Sequence, residues 1–219
     1  MPIPESILRA SIQQLDLEWP QLAKSLGGAL SAITAREALS DESLSALSEA
    51  ASSKRQAVSE LASYLLGIAS TYEPQAAALI LKLSSDSRVH IRHNAILCLV
   101  EETPPSISLD VIRRTLFDKS SRVRIKAADW VLRLRLAAAI PLLERAIDAE
   151  SHRQTLSAMA FTLDLVRDGY RLEPVDAARV RIFYANEHQV SGATVDRSLI
   201  AQRGVAAVVA SLQSTGRAA

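Results

Sequence analysis

Between Asp86 and Val131 the chain writes one pattern of apolar and polar positions twice. Four residues separate Asp86 from Ile91, which is followed by Arg92, Ala95 and Leu99. Asp118, Val123, Arg124, Ala127 and Val131 repeat that order, each thirty-two residues on. The apolar positions fall four apart, so each set lies along one face of a helix. The small Ala in the middle admits a neighbouring helix backbone. The Asp, with the serines beside it, suits the exposed amides and positive dipole end of a first turn. Weaker copies flank the pair: Val58, Ala62 and Leu66 upstream, and Glu150, Thr155, Met159 and Leu163 downstream. In these copies Ser59 and Leu156 stand in the Arg place. Another apolar segment precedes each copy, at 41–51, 74–84, 107–117 and 138–148, and supplies the first helix of a hairpin. Pro104-Pro105 separates two hairpins, while Pro74 and Pro141 fall where a helix start tolerates a missing amide.

A two-helix hairpin cannot cover its own apolar stripe, so neighbouring hairpins stack and bury it. In this pattern the chain resembles the HEAT repeat family in its short bacterial form. Asp86–Leu99 and Asp118–Val131 carry the resemblance, residues 53–71 and 150–167 carry it weakly, and it covers roughly residues 41–168. It implies an all-α fold: a right-handed, armadillo-like α-solenoid of stacked antiparallel helical hairpins. A single domain over 1–219 is expected, with 1–40 an atypical N-terminal cap, 41–168 the repeats and 169–219 an atypical C-terminal cap. The period is shorter than the family's usual length of about 40–47 residues, which implies tighter turns. In the family the Asp and Arg places hold packing and inter-repeat hydrogen bonds. By resemblance, Asp86, Arg92, Asp118 and Arg124 are therefore ladder residues rather than ligand contacts.

The end segments follow from the same periodicity. Ile7, Leu8, Ile12 and Leu15 share one helical face, ahead of Trp19-Pro20 and a break at Gly27-Gly28. Leu199, Ile200, Val205, Val208, Val209 and Leu212 sit at helical spacing, with Gly204 a weak point. Arg179–Tyr184 alternates like a strand, but a lone strand has no partner, so a helix is expected there.

Composition narrows the function classes. With 48% hydrophobic and 22% charged residues the chain can bury a core, and 4% aromatics with few β-branched runs favour helix over sheet. The formal net charge is +1, but its distribution is uneven. Residues 1–50 carry three basic and seven acidic residues, whereas 84–136 carry ten basic and six acidic ones. The single cysteine, Cys98, excludes an internal disulfide and fits a reducing compartment. Met1-Pro2-Ile3-Pro4-Glu5 lacks the basic start and apolar stretch of a signal peptide, and no apolar run is long enough to span a membrane. A cytoplasmic protein without membrane association is expected.

No Gly-rich phosphate loop, Gly-x-Ser-x-Gly elbow or Cys-x-x-Cys is present, so neither a catalytic set nor a cofactor is expected. His90 and His93, three apart on a helix, have a spacing that suits one metal, yet no further ligand completes the set, and both are expected to face solvent. His152 and His188 are isolated. Cys98 reads as an inert core thiol, and Trp130 and Phe161, at matching places in successive second helices, read as core. A basic cluster runs along the second helices: Arg88, Arg92, Arg122, Arg124 and Lys126, followed by Arg133 and Arg135. One reading is a rim for a protein partner with an acidic surface. The other is a phosphate-tracking groove, as in the HEAT-like alkylpurine DNA glycosylases, with Asp129 and Trp130 as the acid–aromatic pair. A pI of about 7.9 falls below the value above about 9 expected of a dedicated nucleic-acid domain. The sequence thus points to a non-enzymatic protein–protein interaction module, an adaptor, scaffold or masking protein. Arg88, His90, His93, Arg122, Lys126 and Arg133 are its expected partner-facing side chains.

Overall fold

Each segment that the sequence marks as a first helix is one in the computed structural model, which describes residues 3–186 and 189–215. The chain divides into two compact units, residues 1–130 and 131–219. The N-terminal unit holds α1 (Glu5–Asp16), α2 (Pro20–Ala35), α3 (Asp41–Ala51), α4 (Gln56–Ala69), α5 (Pro74–Leu83), α6 (Val89–Leu97), α7 (Pro105–Leu116) and most of α8 (Ser121–Arg133). From α1 to α7 consecutive helices pack on one another, and α2 on α4, α3 on α5, α4 on α6 and α5 on α7 add next-but-one contacts. Pro20, Pro74 and Pro105 each sit in the first turn of a helix, where the missing amide costs nothing. Among the described residues no helix is long and apolar enough to cross a membrane.

Every apolar position of the repeat is buried, from Val58, Ala62 and Leu66 through Ile91, Ala95 and Leu99 to Val123 and Ala127. The repeat also shows in its turns. Ser53, Asp86 and Asp118 each accept, through the side chain, the amide two residues on, at Arg55, Arg88 and Ser120, at 3.1, 2.8 and 2.8 Å. In the C-terminal unit Glu150 does the same for His152 at 2.8 Å. These acids therefore close the turn ahead of a second helix instead of capping its first-turn amides. The Asp stands two residues before the cap position, which in α6 is Arg88 and carries no side-chain cap.

One close approach fixes the spacing of α4 and α6. A Cβ added at Gly67 would stand 2.1 Å from the carbonyl oxygen of Cys98, so only glycine lets the two backbones meet there. By contrast, Gly27 and Gly28 lie inside α2, with nothing within 4 Å of a Cβ at either. The break expected at that pair does not occur. The propensity cost of two glycines, about 1 kcal/mol each, is offset by burying Leu26, Ala29, Leu30 and Ile33 on one face.

The C-terminal unit departs from the all-α expectation. A 3-10 turn at Ala137–Ala139 leads to α9 (Ile140–Ala149) and α10 (Arg153–Arg167), which pack together. Then come β1 (Tyr170–Pro174), β2 (Arg179–Ala185) and β3 (Val190–Asp196), an antiparallel sheet in the order β1-β2-β3, followed by α11 (Arg197–Arg203) and α12 (Val205–Thr215). The segment expected as a helix, Arg179–Tyr184, is the middle strand. Its alternation was a true strand signal, and its partners were hidden because Tyr170–Pro174 contains a proline and Val190–Asp196 is mostly small residues. Val180, Ile182 and Tyr184 point to one face. There Ile182 and Tyr184 form a core with Val208 and Val209, bordered by Leu199, Ile200, Val205 and Leu212. On the other face Phe183 meets Phe161 of α10 edge-to-face, with ring centroids 5.3 Å apart. The expected weak point at Gly204 separates α11 from α12 with φ of 78°.

Candidate functional site

On α4, α6 and α8, the three second helices of the N-terminal unit, positions thirty-three residues apart correspond, and the charges of Glu60, Arg122 and Lys126 all reach His93. Gln56, Glu60 and Tyr64 of α4 are answered by Val89, His93 and Leu97 of α6, and by Arg122, Lys126 and Trp130 of α8. Buried polar contacts hold the helices in this order. Ser63 on α4 donates to the carbonyl of Asn94 at 3.3 Å, and the Asn94 amide donates to the carbonyl of Ala51 at 2.8 Å. Trp130 donates from Nε1 to the carbonyl of Leu99, just past α6, at 2.9 Å.

A further link is ionic. Arg92 holds Asp118 through two hydrogen bonds, Nε to Oδ2 at 2.5 Å and Nη2 to Oδ1 at 2.9 Å. Its Nη1 donates to the carbonyls of Asp86 and Ser87 at 2.8 Å each. The side chains are only 7% and 6% exposed. One repeat on, Arg124 donates to the carbonyl of Asp118 at 2.7 Å. The Asp and Arg places are thus spent on joining one turn to the next.

Three of the six expected partner-facing residues gather on the outer surface. Arg122 is exposed, Lys126 and His93 are half-buried, and Val89, at 39% exposure, lies one turn before His93 on α6. Burial, with the positive charges of Lys126 and Arg122 adding to it, lowers the pKa of His93. Its charged form is disfavoured, and the cationic character of the surface belongs to Arg122 and Lys126 of α8. Lys126 places Nζ 4.2 Å from the centroid of the Trp130 ring and 3.6 Å from Asp129. Trp130 is therefore core, tethered by its indole N–H and topped by a lysine.

The other three residues go elsewhere. Arg88 turns back on Asp86 through Nε and Nη2, both at 3.0 Å, and its hydrogen bonds hold the Asp86 carboxyl at about 2, below its ordinary value of 3.8. Arg88 also borders a groove of about 670 Å3 between α3 and α5, where Asp41, Glu49 and Lys82 contribute charge of both signs. His90, expected to face solvent, is half-buried with Nε2 3.2 Å from the carbonyl of Ser52, which places the ring proton on that nitrogen. The two histidines do not converge, and no group of three His, Cys, Asp or Glu among the described residues is arranged to hold a metal. Arg133 is exposed and belongs to the C-terminal unit. His188 lies outside the described residues, and His152 accepts the amide of Thr155 at the start of α10. Cys98 is fully buried, its thiol pushed up to about 12 by that burial.

Sequence reasoning missed one arrangement. Arg55 lies 4.0 Å over the ring of Trp19 and binds Glu18 at 2.5 Å, at the rim of a groove of about 780 Å3 between α2, α3 and the start of α4. Arg55 is thirty-six residues from Trp19 and outside the Arg place of the repeat, so no local pattern joins them. A scan of the sequence against protein-family models and a search of the curated proteins both return no match.

Proposed function

We propose that this chain is a HEAT-like helical-repeat protein without enzymatic activity, which holds or masks a protein partner bearing an acidic surface. The partner docks on the outer sides of α4, α6 and α8. The observation that carries this reading is the gathering of Arg122 and Lys126 around His93, whose pKa burial lowers and both charges lower further, with Val89 accessible one turn before it on the same helix. A cationic rim next to an apolar strip gives electrostatic steering together with area to desolvate. Such a surface also needs little ordering on binding, because the ladder residues and the packed core hold its helices beforehand. The single buried thiol fits a reducing, cytoplasmic setting.

The test is capture from an extract of the source cells, followed by titration of the recovered partner against the wild type and the Arg122→Glu/Lys126→Glu variant. Reversal is expected to weaken binding about tenfold or more at low salt, chiefly through slower association, and to remove most of the salt dependence. Lys126 contributes about 0.5–1 kcal/mol over Trp130, so Tm should fall by no more than about 4 °C. Unchanged affinity in a folded double variant would place the interface elsewhere. A shift of duplex DNA by micromolar wild-type protein, lost in the same variant, would replace the protein partner by nucleic acid.

A further inference from the structure

The outer edge of β3 in the C-terminal unit is built to pair with another strand, and we propose that it pairs with the same edge of a second copy of this chain. Three hydrogen bonds settle which backbone groups face outward. Asn186 donates to the carbonyl of Gln189 at 2.9 Å, and Arg197 donates to the carbonyl of Ala178 at 2.8 Å. Ala185 donates away from β3, to the carbonyl of Gly169 at 3.4 Å. Hydrogen-bonded pairs alternate along an antiparallel ladder, so Ser191, Ala193 and Val195 aim their N–H and C=O groups at β2. Those of Val190, Gly192, Thr194 and Asp196 aim outward. All four outward residues are exposed, and among the described residues β3 has β2 alone as a strand neighbour.

The two sheet edges are protected unequally. β1 carries Pro174, Arg171 and Glu173, and packs against α10. β3 has no proline, lysine or arginine, and Asp196, its last residue, bears its one charge. Edge strands of stable proteins are ordinarily blunted by such residues or covered, so an unblunted seven-residue edge calls for a cover.

A second copy fits because the edge complements itself. A two-fold axis through Ala193 sets Val190 opposite Asp196 and Gly192 opposite Thr194, so every outward residue of one copy meets an outward residue of the other. The facing side chains are small. Gly192 leaves space already used by Phe183, whose ring carbons lie 3.4 Å from where a Cβ would stand. The two Asp196 carboxylates end up about 20 Å apart, at opposite ends of the pairing, with no like charges meeting. Strand pairing alone buries less than the roughly 1,200 Å² of a stable interface, so this dimer forms at high micromolar concentration.

Sedimentation equilibrium of the full chain, from a few to several hundred micromolar, tests the proposal. The wild type is expected to show a monomer–dimer equilibrium. Thr194→Pro removes an outward N–H that β2 does not use, so the strand keeps its ladder while dimerisation weakens about tenfold or more. Thr194→Val, which keeps the N–H, should dimerise like the wild type. Should Thr194→Pro lose its circular dichroism, Val190→Pro removes an equivalent outward donor at the first residue of the strand. A wild type that stays monomeric throughout overturns the proposal. So does a dimer that a folded proline variant leaves intact.

Discussion

Asp118→Ala is expected to destabilise the N-terminal unit by about 3–5 kcal/mol, because it leaves the Arg92 guanidinium buried without its counter-charge. The loss goes beyond one ion pair. The same carboxylate accepts the amide of Ser120 at 2.8 Å, and that turn aims α8. Replacing both partners by apolar residues of similar size, Arg92→Met/Asp118→Leu, should cost much less, since no buried charge is then left over. Urea unfolding of the two variants gives the comparison directly. A pH series adds an independent check. Burial alone would raise the pKa of Asp118, but the hydrogen bonds from Arg92 and from the Ser120 amide outweigh it and hold the value below the ordinary 3.8. A depressed carboxylate contributes stability above its unfolded value and loses it as pH falls through its folded one. The urea midpoint should therefore drop from about pH 4 downward in the wild type, and less steeply in the double variant. A single variant that unfolds at the wild-type midpoint would remove the ladder from the account.

Gly67→Ala is the second large effect, expected to cost about 3 kcal/mol. In an exposed helix interior the same change usually stabilises, since alanine is favoured over glycine by up to about 1 kcal/mol. Here the new methyl would sit 2.1 Å from the Cys98 carbonyl oxygen, a backbone atom that cannot swing aside. α4 and α6 would have to separate by about an ångström or more, and the packing around the buried Leu65, Leu66, Ile96 and Leu99 would loosen. Gly27→Ala and Gly28→Ala are the matched controls, with nothing within 4 Å of either Cβ. Each should raise stability by about 0.5–1 kcal/mol. Opposite signs for Gly67 and the α2 glycines would be the signature of a steric cause.

The helices were legible where the apolar spacing of four was strict. The 41–51 segment is a helix at Asp41–Ala51, and 138–148 is matched by Ile140–Ala149. Spacing identifies which side chains share a face, and every apolar position it selected in the repeat is buried. It says less about where polar side chains turn. Arg88, His90 and His93 lie within six residues, yet Arg88 folds back on Asp86, His90 reaches the end of α3, and His93 takes its place beside Lys126. Those directions depend on the Ser52 carbonyl and the Asp86 carboxylate, which tertiary contact supplies. The sheet escaped notice because strands signal through β-branched alternation, and Val190–Asp196 interrupts it with Gly192 and Ala193. A strand of small residues looks like a loop until its partner is known. The basic stretch 84–136 contains Arg122 and Lys126 of the proposed surface. Charge counting could not separate them from Arg92 and Arg124, which have the same residue type and a structural task.

The proposed surface requires α4, α6 and α8 to be successive members of one row, with Glu60, His93 and Lys126 as side-by-side neighbours. Cysteine pairs at 60/93, 93/126 and 60/126, joined by a bifunctional maleimide that spans one interhelical distance of about 8–10 Å, test this in solution. The native Cys98 is fully buried and stays silent. Efficient cross-linking of 60/93 and 93/126, with little at 60/126, is the expected result. Efficient joining of 60 to 126 while either neighbouring pair fails would contradict the order of helices on which the proposed surface is built.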